Sequence, residues 1–247
     1  MALAGAHMVT FMWLKPVLNT MVPFSADVML ADIDKALFFG NDPAGITHSL
    51  LGTGISAHVL STFYAAFIVF LPLSLGLALV FAEKLQFSLF YAAALSINWV
   101  LGAATYFLLP ALGPIYADPA GFADLPHTEA TRLQEMLMTD RVGWLADPVT
   151  GTPQAIAAFA SLHIAMSFTA LLAAYMLDLS LWIKRALWAW LVIMLISTVY
   201  LGWHYVLDDI AGLAIGAAAL VGARLLTGFD PRRPRKPVPA EPARATV

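Results

Sequence analysis

The 247-residue chain has no cysteine, so disulfides and thiolate metal sites are excluded. Charge is scarce too. Asp, Glu, Lys and Arg make up 12% of the residues, against about 25% in a soluble domain. No His-Glu-x-x-His run is present, which excludes that class of zinc protease. No serine sits in a Gly-x-Ser-Gly setting inside an apolar run, as a rhomboid-like protease requires. The one basic cluster, Arg232-Arg233-Pro234-Arg235-Lys236, falls in a Pro-rich tail that reads as disordered and cytoplasmic. Nothing points to nucleic acid, and neither a metal nor an organic cofactor is expected. Met1 to His7 is too short for a cleavable signal peptide.

What the chain has in excess is apolar surface. Hydrophobic residues reach 60% and the mean hydropathy is +0.78. The composition predicts an all-α, polytopic integral membrane protein, since a crossing needs about 20 mostly apolar residues. Five runs qualify: Ile55 to Ala82, Phe87 to Pro110, Gln154 to Leu177, Leu181 to Gly202 and Tyr205 to Gly222. A shorter run, Met8 to Phe24, is interrupted by Lys15-Pro16 and is either the end of a sixth span or a surface segment. The expected architecture is thus a bundle of five to six transmembrane helices. Residues 1–228 would form one catalytic domain and 229–247 the tail.

Between Ser25 and Phe39, Met29, Leu30, Ile33, Leu37 and Phe38 recur at helical spacing among Asp27, Asp32, Asp34 and Lys35. This predicts an amphipathic helix lying in the interface, either a plain connection or a substrate-binding element. Gly40 can end it and Asn41-Asp42-Pro43 supplies a turn.

Basic residues in short loops stay on the cytoplasmic side. Lys84, the Lys184-Arg185 pair and the tail all satisfy this with one orientation. The loop from Ala111 to Gly151 then lies outside. It carries Asp118, Asp124, Glu129, Glu135, Asp140 and Asp147 against Arg132 and Arg141. In this orientation His163, His204 and Asp208, far apart in sequence, reach the same outer face.

Ionisable groups at a membrane boundary are costly to keep unless they are used. His204 and Asp208 are four apart and share a helix face. The carboxylate can fix one imidazole nitrogen and leave the other free to attack. Ser161 can cap the helix of the third span, whose N-terminus favours an anion such as phosphate. His163, just inside that helix, can protonate a leaving oxygen. These parts describe phosphoryl transfer through a phosphohistidine. The rival reading is a transporter with a His/Asp proton relay, which would spread its ionisable groups through the membrane depth. Asp209 reads as a solvated or capping neighbour of Asp208. His58 reads as an interfacial or packing residue, and His7, His48 and His127 have no supporting pattern. The run Gly212, Ala214, Gly216, Ala217, Ala218 reads as helix packing.

Ser161-Leu162-His163 resembles the second signature, Pro-Ser-Gly-His, of the type 2 phosphatidic acid phosphatase superfamily. Ser197 to Asp208 resembles its third signature, Ser-Arg-x5-His-x3-Asp, with the same spacing from serine to histidine to aspartate. The resemblance covers roughly Ile33 to Gly222. It implies His204 as nucleophile, Asp208 as its orienting partner and His163 as general acid, with Ser161 and Ser197 at the phosphate. Two features depart from the pattern. Thr198 stands where the signature has arginine, and Tyr106 to Tyr116 replaces the Lys-x6-Arg-Pro first signature. Ser-Leu-His in place of Ser-Gly-His, with His-Tyr-x2-Asp later, is similar to the inositol phosphorylceramide synthase branch, as is the amphipathic Ile33 to Pro43 segment. The resemblance thus implies an enzyme acting on lipid phosphates at the extracytoplasmic surface. It would be either a phosphotransferase handling an inositol-phosphate or similar headgroup, or a lipid or polyprenyl phosphate phosphatase. With the basic residues of the signatures missing, Arg132 and Arg141 of the outer loop are the candidates for charge stabilisation.

Overall fold

A computed structural model describes residues 25–81, 85–152 and 156–229. The run Met8 to Phe24, Lys84 and the Arg232–Lys236 tail lie outside the described residues. Those residues form helices with no strand. They are α1 (Asp27–Leu37), α2 (Pro43–Leu51), α3 (Ile55–Phe81), α4 (Leu85–Leu108), α5 (Pro114–Ala117), α6 (Glu129–Ala146), α7 (Leu162–Met176), α8 (Leu181–Tyr200) and α9 (Val206–Thr227), with a 3-10 turn at Pro119–Phe122. The protein is a polytopic helical bundle. Helices α3, α4, α8 and α9 are long and apolar enough to cross a membrane. Large side chains along them, such as Ile68, Val69 and Val80 of α3 and Val221 of α9, face outward. A helix apolar all round needs lipid on the sides that protein does not cover.

The third expected span differs from the reading of the sequence. Its helix begins only at Leu162 and is 15 residues long, about 22 Å. Residues 156–161 are not helical, yet Ile156, Ala158, Ala160 and Ser161 are buried, and three of the amides in this stretch are taken by other elements. Ala158 N donates to Ala111 O (2.8 Å), Ala160 N to the Thr105 hydroxyl (3.2 Å) and Ser161 N to Asp208 O (3.0 Å). Irregular backbone at this depth is tolerated because protein surrounds it. Helix α7 can be short because it is central, packed against α4, α8 and α9.

The α7–α9 contact is close. A β-carbon on Gly212 would stand 2.5 Å from Ser161 O, and one on Gly216 would stand 2.5 Å from Ala165 O. The small-residue run thus lets the two backbones meet, as small residues do between membrane helices.

Helix α1 forms where expected, but its amphipathicity is inverted. Asp27, Leu30 and Asp34 are buried, while Val28, Met29 and Leu37 are exposed. Val28, Met29 and Leu37 face outward beside Asp32 and Lys35, while Leu30 packs inward. The buried acids face the bundle because backbone amides await them there. Asp27 accepts from Leu112 N and Gly113 N (2.8 Å each), and Asp34 accepts from Val206 N (2.7 Å) and Leu207 N (3.1 Å). Bonds of this charge-assisted kind contribute about 1.5–3 kcal/mol each. The sequence pattern alone cannot show this, since it reports polarity and not the donors a distant segment presents.

Candidate active site

His204 lies in the short turn between α8 and α9. Trp203 N and His204 N both donate to Thr198 O (3.0 and 3.2 Å), which fixes the turn to the end of α8. On its other side the turn runs into the first residues of α9. The Asp208 carboxylate, fully buried, accepts from Tyr205 N at 2.9 Å through Oδ2. The same oxygen lies 3.4 Å from Nδ1 of His204. Nε2 is the other ring nitrogen.

His163 occupies the second position of α7, and its ring centroid is 5.8 Å from that of His204. An aromatic wall orients it. Tyr64 stacks on the His163 ring at 4.6 Å, Phe67 packs at 4.4 Å, and Trp203 stacks on the far face of Tyr64 at 5.0 Å. Such ring pairs restrict tilt and exclude water. The Ser161 N–H bond to Asp208 O ties the start of α7 to the first turn of α9. The structure therefore brings together His163, His204, Asp208 and Ser161. Ser161 is the residue before α7, and its side chain makes no cap bond to that helix; its hydroxyl faces Asp209 instead.

The loop after α4 closes the turn from outside. Gly113 has φ +105°, and a β-carbon there would stand 2.6 Å from Trp203 O, so only glycine permits this approach. Ile115 N donates to Gly202 O at 2.9 Å. From α6, Gln134 donates to Leu201 O at 2.7 Å. Gln134 is buried and reaches the turn that carries His204 directly, yet nothing in its sequence context marks it.

The remaining sequence candidates are placed differently. The Ser197 hydroxyl is buried and donates to Ile193 O (2.7 Å) within its own helix. Thr198, at the arginine position of the signature, donates to Asp209 Oδ2 at 2.8 Å. Asp209 is buried, at 2% exposure, and so is not the solvated neighbour expected from sequence. Arg132 pairs with Glu129 (3.3 Å), both about 70% exposed. Arg141 is half-buried, and burial lowers its pKa from the ordinary guanidinium value. It stands seven residues beyond Gln134 and so shares that residue's helix face, whereas Arg132 projects from the opposite side. Its buried Nε has no hydrogen-bond partner. Among the other histidines, His48 lies against Tyr200 O (2.8 Å), His127 against Glu135 (3.0 Å), and His58 is exposed. No group of three metal-ligating side chains is found among the described residues.

The PAP2 superfamily matches residues 28–222. The chain belongs to this superfamily. The match takes in α1, the inverted acidic helix, and ends within α9. No curated protein and no solved structure matches the chain. Membership makes it a membrane-embedded enzyme of the phosphatase and phosphotransferase type that acts on lipid phosphates.

Proposed function

We propose that the protein is a lipid phosphotransferase that works through a phosphohistidine on His204 at the extracytoplasmic membrane surface. The observation that carries this is the Asp208 carboxylate against Nδ1 of His204 with the His163 ring across from it at 5.8 Å. Asp208 holds the imidazole so that the Nε2 lone pair attacks phosphorus. The phosphorus–oxygen bond of the donor breaks, and protonated His163 gives its proton to the leaving oxygen. In the second half, neutral His163 takes the proton of an acceptor hydroxyl as that oxygen attacks the phosphohistidine, and His204 leaves. Water as acceptor gives a phosphatase; an alcohol gives a transferase.

The surroundings of the pair favour transfer between diesters. Thr198, a neutral hydroxyl, stands where the phosphatase signature has a cation, and it faces Asp209. Asp27, Asp34, Asp208 and Asp209 are all buried near the catalytic turn. Asp208, ionised in this mechanism, repels a phosphomonoester dianion more than a singly charged phosphodiester. Arg141, sharing the face of Gln134, is the arginine we assign to the phosphate; the start of α7 supplies the remaining positive potential. An inositol phosphate or similar headgroup is the group transferred, a reading that the Ser-Leu-His form and the later His-Tyr-x2-Asp support.

The test is headgroup transfer and release from a panel of phosphodiester and phosphomonoester lipids, with and without an added lipid alcohol as acceptor. Transfer of the phospho-headgroup from a diester to that alcohol, with slower monoester hydrolysis, is the expected result. Hydrolysis of monoesters alone would reduce the protein to a phosphatase. His204→Ala should abolish turnover and phosphohistidine trapping, a loss of several orders of magnitude. Near-normal turnover by folded His204→Ala would refute the nucleophile.

A further inference from the structure

Helix α1 grips the segment that follows His204. Asp27 Oδ1 accepts from the Tyr205 hydroxyl at 3.0 Å, and Asp34 takes Val206 N at 2.7 Å and Leu207 N at 3.1 Å. The two acids are seven residues apart on one face of α1, so their span along the helix is about 10 Å. Asp27 is itself held by Leu112 N and Gly113 N, the loop that abuts Trp203. Residues 205–207 are thus clamped from one side while Thr198 O holds 203–204 from the other.

The clamp answers a conflict inside the first turn of α9. A helix start leaves its first amides without partners, and a carboxylate at the third position reaches back to the N-cap amide alone. Asp208 occupies that position. If it had to serve Val206 and Leu207 as well as Tyr205, it would turn away from His204. We propose that Asp34, braced by Asp27, is a positioning residue: by taking the Val206 and Leu207 amides it leaves the Asp208 carboxylate to Tyr205 N and to Nδ1 of His204. The inference rests on the reading of His204 as nucleophile. It gives the inverted polarity of α1 a task in catalysis, because a helix with its acids toward solvent could not reach α9.

Asp34→Asn keeps one acceptor oxygen and turns an amide toward the second backbone N–H. Asp32→Asn, on the exposed face of the same helix, is the control. Each protein is purified whole in detergent micelles. Steady-state kinetics, thermal unfolding and the nitrogen resonances of the His204 ring in histidine-labelled protein are compared. For Asp34→Asn, kcat falls on the order of 10–100-fold with KM little changed, the scale of loss that a small misplacement of catalytic groups produces. The Nδ1 resonance of His204 shifts, and Asp32→Asn behaves as wild type. A folded Asp34→Asn with wild-type kcat, or with an unshifted His204 resonance, overturns the proposal, as does a loss confined to KM. Should Asp34→Asn fail to fold, Asp34→Glu retains the charge while displacing it by one methylene, and the same readouts decide. The resonance reports the position of His204 whether or not it is the nucleophile, whereas phosphohistidine trapping in wild type reports the nucleophile alone. The two readings can therefore fail separately.

Discussion

At the scale of single residues, the site consists of groups whose surroundings set their tasks. Asp34 is the clearest case. Burial raises its pKa above the ordinary carboxylate value, with the Val206 and Leu207 bonds opposing and the Asp42 charge adding to the rise. A folded carboxyl that holds its proton more tightly than the unfolded one favours the native state most below the unfolded pKa. That contribution declines as pH rises through the folded value. The stability difference between wild type and Asp34→Asn should therefore shrink, or change sign, as pH rises from about 3.8 upward. Thermal unfolding across that range measures it, and a pH-independent difference would count against the buried-acid account. Tyr205 shows the converse: burial, reinforced by Asp27, raises its phenol pKa well above the usual value, so it remains a donor to Asp27. His163 allows a sharper chemical test. If it protonates the leaving oxygen, His163→Ala should slow an alkyl phosphate by about 10²–10⁴-fold and an aryl phosphate much less. Asp208→Asn should slow both alike, because attack itself is impaired. Equal losses for His163→Ala on both substrates, with no pre-steady-state burst and hence no slow phosphohistidine breakdown, would remove the general-acid role.

At the scale of elements, the long spans are legible because length and apolar content are properties of a segment by itself. Helices α3, α4, α8 and α9 lie within a few residues of the runs read from sequence. Helix α7 does not, because where it starts depends on Ala111, Thr105 and Asp208, which supply partners to the amides of residues 158–161. The polarity of α1 was hidden for the same reason: its acids answer amides contributed by residues 112–113 and 206–207. The two histidines and Asp208 were legible because their spacing within each segment carries the pattern. Gln134 and Thr198, which hold the turn by bonds to Leu201 O and Asp209, had no local signal of that role. The α7–α9 contact yields a prediction at this scale. Gly212→Ala forces a methyl against Ser161 O at the N-terminus of α7. Overpacking of this kind costs about 1–3 kcal/mol. Gly216→Ala meets Ala165 O one turn deeper. Both variants should melt earlier in detergent, while Gly212→Ala loses more activity because its clash lies beside Ser161 and Asp208. Equal activity in the two variants would show that the spacing of α7 and α9 near Ser161 does not govern catalysis.

At the scale of the whole molecule, the question is which side of the membrane the catalytic turn faces. His204, the start of α7, the loop from Ala111 to Gly151 and helix α6 all lie at one end of the bundle, joined through Gly113, Ile115 and Gln134. Lys184 and Arg185 lie at the start of α8, and Arg224 lies in the last turn of α9. Both are at the opposite end from residues 201–206, because α8 ends and α9 begins at the catalytic turn. Lys184 pairs with Asp178 at 2.7 Å just before α8, and the Asp178 side chain is almost wholly exposed. With Lys84 between the first two spans and the basic tail of the sequence added to them, Lys184, Arg185 and Arg224 favour retention of that end in the cytoplasm. The site end should then face outward, where an acidic loop carries no penalty. Because the chain has no cysteine, single cysteines can be introduced without a background. Cysteines at Asp124 and Asp140 should react with an impermeant maleimide on intact cells, and one at Asp178 should react only after permeabilisation. Labelling of Asp178→Cys but not of the loop positions in intact cells would invert the orientation. The catalytic turn would then open to the cytoplasm, and its lipid donor would have to come from the inner leaflet.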